Sequence, residues 1–366
     1  MSDLSHDNVC FRPTASLQTL RRRATLYRLI RNYFDQRNFV ETTTPVLSRD
    51  VVVDRFVEAI PVNTTMCWQE PDGYAQIRFA NPEDAKRRQT TFYLQTSPEF
   101  AMKRLLAAGL DAIYQLAPAF RLGDRGATHN VEFTMLEWYQ RDVNYQQGRR
   151  FLADLVMTVA REFYAATNCP AQSYFLAEPK EITFGELFEN AVQIDPHQCA
   201  CNDLQRYADE HNVSYPESFL SQTAPAIKDD WLDLIFSDLI QPNLGRQEPT
   251  IVYDYPATQS QLAKTRRQGD HEVTSRFELF VNGVELANGY DELLDPAVLR
   301  ARIDVVAHER RQDGSTELPR ESRLLAAMDS GLPPSSGCAL GVDRLLYVLI
   351  AAQTIDDVIP FPIELA

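Results

Sequence analysis

Between Phe120 and Tyr139 the chain reads FRLGDRGATHNVEFTMLEWY, with Arg121 closing one alternating segment. In the next segment Phe133, Met135, Glu137 and Tyr139 recur with period two, so they share one strand face. A cation, an aromatic face and a carboxylate presented together suit a nucleotide phosphate, an adenine ring and an ammonium group.

A second set surrounds Asn282-Gly283, a two-residue hairpin turn. Such a turn places Val281 opposite Val284, Phe280 opposite Glu285, and Glu278 opposite Ala287. Glu278 and Glu285 then lie diagonally on one face, about 7–8 Å apart at Cα. Two carboxylates so placed can share a divalent cation with phosphate oxygens and water, as magnesium prefers. The plainer alternative is a pair of solvated glutamates. Asn288, Tyr290 and Glu292 follow, where strand-end turn chemistry is the alternative.

Arg344 forms a third set. It opens a helix whose next residues, Leu345, Leu346, Val348, Leu349 and Ile350, leave no polar face. An arginine starting a buried helix needs an anion. Asp343 is one candidate, and a ligand phosphate brought close by the Gly337–Gly341 approach is the other. The remaining candidates have ordinary readings too. Glu99 sits in a first helical turn, which the helix dipole favours. His129 and Asn130 fit a turn, and Arg121 fits an exposed ion pair worth little.

The elements that position these residues follow from periodicity. A helix is predicted from Leu17 to near Asn38, with apolar Leu20, Ala24, Tyr27, Ile30 and Phe34 at helical spacing. FVETTTPVLS reads as a strand ending at proline. TFYLQT is a strand, Ser97-Pro98 a helix cap and first helical residue, and the helix closes on Gly109. IYQLAPAFR and EFTMLEWYQ are strands joined by a polar loop. Residues 149–167, 201–211 and 229–240 read as helices. TIVYDYP, FELFV and VELANGY are strands, and GCALG is a strand turning into an apolar helix. Hairpin-joined strands dominate, so the expected fold is α+β, an antiparallel sheet flanked by helices. Residues 1–16 read as a poorly ordered segment and 17–366 as one domain, with insertions near 66–91 and 171–228.

The chain has 366 residues, 44 % of them hydrophobic, an ordinary share for a protein that buries a core. Its formal net charge of −15 disfavours wrapping a long nucleic acid and suits a cationic substrate or a basic patch on a partner protein. Six cysteines without CxxC spacing read as thiols in a reducing cytoplasm. No apolar run is long enough to span a bilayer.

The order arginine–loop–phenylalanine, acidic hairpin, then Gly-Val-Asp-Arg resembles the catalytic domain of class II aminoacyl-tRNA synthetases, and within it the lysyl subgroup. FVETTTPVL is similar to the first class motif, a dimer-interface strand with Pro45. FR…HNVEFTMLEWY is similar to the second motif and GVDR to the third, while ELANGYDEL resembles the lysine-pocket segment. The likeness runs from about Leu17 to the C-terminus. Lysyl-tRNA synthetases carry an anticodon-binding barrel before this domain, and the match leaves no room for one here. A short, acidic, barrel-less relative resembles the ligases that activate (R)-β-lysine and join it to a lysine of elongation factor P.

The resemblance implies ATP and Mg2+ as cofactors, lysine or β-lysine as the small substrate, elongation factor P rather than tRNA as acceptor, and a cytoplasmic homodimer without membrane contact. It implies that Arg121 contacts the α-phosphate and Arg344 the γ-phosphate, both serving catalysis. His129, Asn130, Phe133, Glu285, Leu286 and Gly341 complete the ATP site, with Phe133 stacked on adenine. Glu278 and Glu285 hold the metal. Ser97, Glu99, Glu137, Tyr139, Asn288 and Glu292 line the amino acid pocket, and Ala339 forms its floor. Ala339 falls where the lysyl enzymes carry glycine and the β-lysine ligases alanine, and one methyl reshapes the floor. Two departures stand out. The family's Arg-Asn-Glu is Arg121-Leu122-Gly123 here, which leaves Asp124 or no residue for the adenine amino group. His-Asn-Pro-Glu-Phe is His129-Asn130-Val131-Glu132-Phe133. The rival readings are a compact lysyl-tRNA synthetase and a non-catalytic dimeric binding protein.

Overall fold

The computed structural model describes residues 11–68, 75–79, 89–221 and 225–366. In chain order it runs through α1 (Leu17–Asp35), β1 (Val40–Glu41), β2 (Leu47–Ser48), β3 (Pro61–Trp68), β4 (Ala75–Phe79), β5 (Gln89–Leu94), α2 (Glu99–Ala107), β6 (Ala112–Phe120), β7 (Glu132–Arg141) and α3 (Tyr145–Thr167). It continues through β8 (Lys180–Thr183), α4 (Phe184–Val192), α5 (Cys201–Glu210), α6 (Ser218–Ser221), α7 (Pro225–Ile235), β9 (Thr250–Pro256), β10 (Thr265–Gln268), β11 (His271–Val281) and β12 (Val284–Asp291). The last elements are α8 (Pro296–Gln312), α9 (Arg323–Gly331), β13 (Ser335–Gly341) and α10 (Val342–Leu349).

Among the described residues the main sheet has nine strands, in the order β1-β6-β7-β13-β12-β11-β9-β8, with β10 added to β11. The middle of this order is antiparallel, as expected, but β1 pairs β6 and β8 pairs β9 in parallel. Helices α1, α3 and α10 cover one face. There Phe34 stacks on Tyr114 at 4.4 Å, and Leu136, Trp138, Leu279, Leu340 and Leu346 join the same core. A second small sheet, β2-β5-β3-β4, flanks the first.

Several expected boundaries move. FVETTTPVLS is two separate two-residue strands in different sheets, because Pro45 interrupts the ladder. Helix α2 begins at Glu99 rather than Pro98. Ser97 Oγ accepts from the Glu99 N–H at 3.0 Å. Helix α3 starts at Tyr145, ahead of the expected 149. Asn144 Oδ1 accepts from Gln147 N, and Gln147 Oε1 accepts from Asn144 N, closing a capping box. The 66–91 excursion contains the end of β3, all of β4 and the start of β5, with β3 paired to both, and its parts 69–74 and 80–88 lie outside the described residues. The 171–228 insertion contributes β8 and helices α4 and α5, whose Phe184, Phe188 and Leu204 pack with Trp231 and Tyr255 into a separate cluster. Residues 1–10 also lie outside the described set. Cys169, Cys199, Cys201 and Cys338 are free thiols. No helix among the described residues is long and apolar enough to cross a membrane.

Candidate active site

A cavity of about 360 Å³ opens on the sheet face opposite α1, α3 and α10. Its floor is two rows of the ladder. In one row Glu137 on β7 faces Ala339 on β13, then Asn288 on β12, then Glu278 on β11. In the next, Tyr139 faces Gly337, then Tyr290, then Arg276. A methyl at Gly337 would overlap the Tyr139 ring and Glu292 Oε1, so only glycine fits there. The period-two expectation holds: Phe133, Met135, Glu137 and Tyr139 all line the cavity, while Leu136 and Trp138 enter the core.

The hairpin register differs from the simple one. Val281 faces Val284 and Phe280 faces Glu285, but a bulge then pairs Leu279 with Ala287 and Glu278 with Asn288. Leu286 and Ala287 both belong to the core cluster while bordering the cavity. This extra residue lets Glu285 and Asn288, which are three apart, turn to the same cavity as Glu278.

One end of the cavity is cationic. The Arg121 guanidinium lies 5.3 Å from the Phe133 ring centroid, and its Nε has no hydrogen-bond partner among the described residues. Arg344 Nη1 donates to the Glu285 carbonyl at 3.0 Å and its Nε to the Thr128 carbonyl at 3.3 Å. Asp343 does not pair with it. Its carboxylate binds Arg23 and accepts from Thr134 N at 2.7 Å, which leaves Arg344 aimed at the cavity. Arg344 also donates to His129 Nε2, so that nitrogen carries no proton. Partial desolvation and the Arg344 charge lower the His129 pKa. Asn130 borders the cavity, but its amide donates to Glu132 O and accepts from Ile363 N. Leu122 is exposed, Gly123 turns with φ +87°, and Asp124 reaches the cavity wall.

Between the ends, Glu278 accepts from Tyr255 OH at 2.6 Å and pairs with Arg276. Burial raises the Glu278 pKa against the pull of Arg276, and the charge of Glu285 raises it further. Glu278 and Glu285 both border the cavity beside its cationic end, and both Glu278 oxygens already have partners, Arg276 and Tyr255.

The other end is a buried acidic pocket. Glu137 accepts from Ser97 Oγ at 2.8 Å and from Tyr139 OH. Burial lifts its pKa to about 8, with Glu99 adding to the shift. Glu99 and Glu292 both pair with Lys103, and Glu292 Oε1 has no hydrogen-bond partner among the described residues. Burial also lifts Glu292, to about 7, against the pull of Lys103.

The sequence family described as tRNA synthetases class II (D, K and N) matches residues 3–365. The chain belongs to this family. It is 36 % identical over 353 residues to the elongation factor P–(R)-β-lysine ligase of Vibrio cholerae, covering 96 % of this chain and 97 % of that one. The protein of the same name from Pectobacterium atrosepticum is 34 % identical over 364 residues, covering 98 % and 99 %. That from Histophilus somni is 35 % identical over 360 residues, again covering 98 % and 99 %. The antiparallel centre with flanking helices is the class II synthetase fold, and the chain is a ligase.

The residues singled out as synthetase site candidates come together. Ser97, Glu99, Arg121, His129, Asn130, Phe133, Glu137, Tyr139, Glu278, Glu285, Leu286, Asn288, Glu292, Ala339, Gly341 and Arg344 all border the one cavity. Four functional neighbours were missed. Arg276 and Tyr255 hold Glu278, Lys103 sits behind Glu99 and Glu292, and Gln261 accepts from Tyr290 OH. Arg276 was detectable, since it is two residues before Glu278 on one strand and therefore on its face. Gln261 and Tyr255 carried no local signal.

Proposed function

We propose that this protein activates (R)-β-lysine, or lysine, with ATP and transfers the acyl group to a lysine side chain of elongation factor P. The observation that carries the reading is the buried acidic pocket that shares one cavity with Phe133 and the Arg121 and Arg344 cations. Adenine stacks on Phe133, Arg121 takes the α-phosphate and Arg344 the γ-phosphate. Glu278 and Glu285 would hold a magnesium ion that accompanies ATP, and it would supply positive charge to the phosphates. The two ammonium groups of the amino acid enter among Glu99, Glu137 and Glu292.

The substrate carboxylate oxygen attacks the α-phosphorus, the bond to the bridging oxygen breaks, and pyrophosphate leaves. Arg121 and Arg344 stabilise the charge that develops on the phosphates, and no side-chain nucleophile takes part. The free amine of the acceptor lysine then attacks the acyl carbon. AMP leaves, and an amide remains.

The acceptor assignment is supported by the names of relatives matched along nearly their whole lengths, and by the net charge of −15, which is unfavourable for gripping tRNA phosphates. We place the reaction in the cytoplasm. We also propose a homodimer through the Val40–Ser48 segment, whose Val40 and Leu47 are exposed apolar residues. The test is ATP–pyrophosphate exchange with lysine and β-lysine, followed by mass spectrometry of elongation factor P. One added lysyl unit on a single lysine is expected. Efficient charging of lysine tRNA with an unmodified factor would reject the acceptor and restore a synthetase.

A further inference from the structure

Lys103 is 2 % exposed at its side chain and lies behind the cavity wall. A lysine paired only within its own helix would be an ordinary i,i+4 contact. This one bridges elements: it binds Glu99 of α2 and Glu292, which follows β12, and it lies 5.8 Å from the Tyr139 ring centroid. Glu137 from β7 also feels its charge, and Tyr139 from β7, Tyr290 from β12 and Cys338 from β13 face one or more of the pocket carboxylates. Helix α9 meets α2 with apolar Leu325 and Met328. The neighbouring charges are already matched, Asp291 by Lys264 at 2.7 Å and Arg276 by Glu278. Among the described residues Glu137 has only hydroxyl donors, from Ser97 and Tyr139, and Glu292 keeps one bare oxygen.

We infer that Lys103 is a positioning residue that sets the charge of the amino acid pocket. By neutralising one of the three buried carboxylates from behind, it leaves two for a ligand that brings two ammonium groups. The inference rests on the proposed amino acid site and concerns how its charge is matched to the two ammonium groups proposed there. A molecule with one ammonium leaves one carboxylate unmatched, and that carboxylate must keep a proton in the dry pocket. Lys103 opposes protonation of both Glu137 and Glu292, so removing it makes both hold their protons to higher pH.

The test is calorimetry with lysine, norleucine and 6-aminohexanoate, in buffers of different ionisation enthalpy. Near pH 7, which is below the Glu137 pKa of about 8, the parent protein should release a proton on binding lysine and less on binding either single-ammonium analogue. Lys103→Met should bind lysine roughly tenfold or more weakly near pH 7, one pKa unit being a tenfold equilibrium change, and recover toward about pH 9. Lys103→Arg should keep the parent pH profile. A Lys103→Met loss that is equal at every pH, or no loss at all, would overturn the inference. So would lysine binding without proton release in the parent, a measurement that holds even where Lys103→Met does not fold. Failure of the parent to bind lysine would instead overturn the proposed function.

Discussion

At one end of the cavity Arg121, His129 and Arg344 stand partly in water, while at the other Glu99, Glu137, Glu292 and Lys103 are withdrawn from it. At the first end Arg344 donates to the backbone carbonyls of Thr128 and Glu285, and Arg121 lies against the Phe133 ring. The buried carboxylates have raised pKa values at Glu137 and Glu292 and compete for one lysine. Water screens the first end, whereas the dry end is sensitive to the charge of whatever enters. Rate should therefore depend most on the wet end and selectivity on the dry one.

The strongest way to break that division is to remove a wet-end cation. Arg344→Ala or Arg121→Ala should cost about 3–4 kcal/mol of transition-state stabilisation, by analogy with loss of a preorganised donor. Pyrophosphate exchange should fall while lysine affinity stays near that of the parent. Loss of affinity with unchanged exchange would reverse the roles of the two ends.

Glu137→Gln keeps shape and removes charge from the dry end. Lysine affinity should fall by about 2 kcal/mol, the usual worth of a hydrogen bond to a charged group. The pH dependence should change as well. Glu137 must lose its proton to receive an ammonium, and its pKa is raised to about 8, so affinity in the parent climbs with pH up to that value. In Glu137→Gln that climb should flatten, which titration of binding against pH would show directly.

Ser97→Ala removes the hydroxyl that donates to Glu137 and accepts from the Glu99 N–H. Its effect should be smaller, about 1 kcal/mol of lysine affinity, because Tyr139 still donates to the carboxylate. Exchange kinetics at saturating lysine should stay close to the parent.

Much of the site was legible in the chain. The alternation from Phe133 to Tyr139 and the unbroken apolar helix after Arg344 each require only near neighbours, and both are found as expected. The hairpin was legible at its turn but not past the bulge, since an extra residue in β12 leaves no mark in a period-two reading. The anion for Arg344 was misassigned in one alternative. Asp343 lies next to it in sequence yet pairs with Arg23, 320 positions away.

The sequence by itself determined which faces of β7 and α10 are apolar, where the chain turns, and which carboxylates and arginines are available. Those properties arise from backbone geometry repeated every two or 3.6 residues, which short segments impose on themselves. Only the tertiary structure decided which charges meet. It set Arg276 and Tyr255 on Glu278, and it buried Lys103 between Glu99 and Glu292. The register that aligns Glu137, Ala339, Asn288 and Glu278 in one row is likewise a property of four paired strands. Electrostatic partnership in a low-dielectric interior depends on distance in space and on exclusion of water, and neither is encoded in any local spacing.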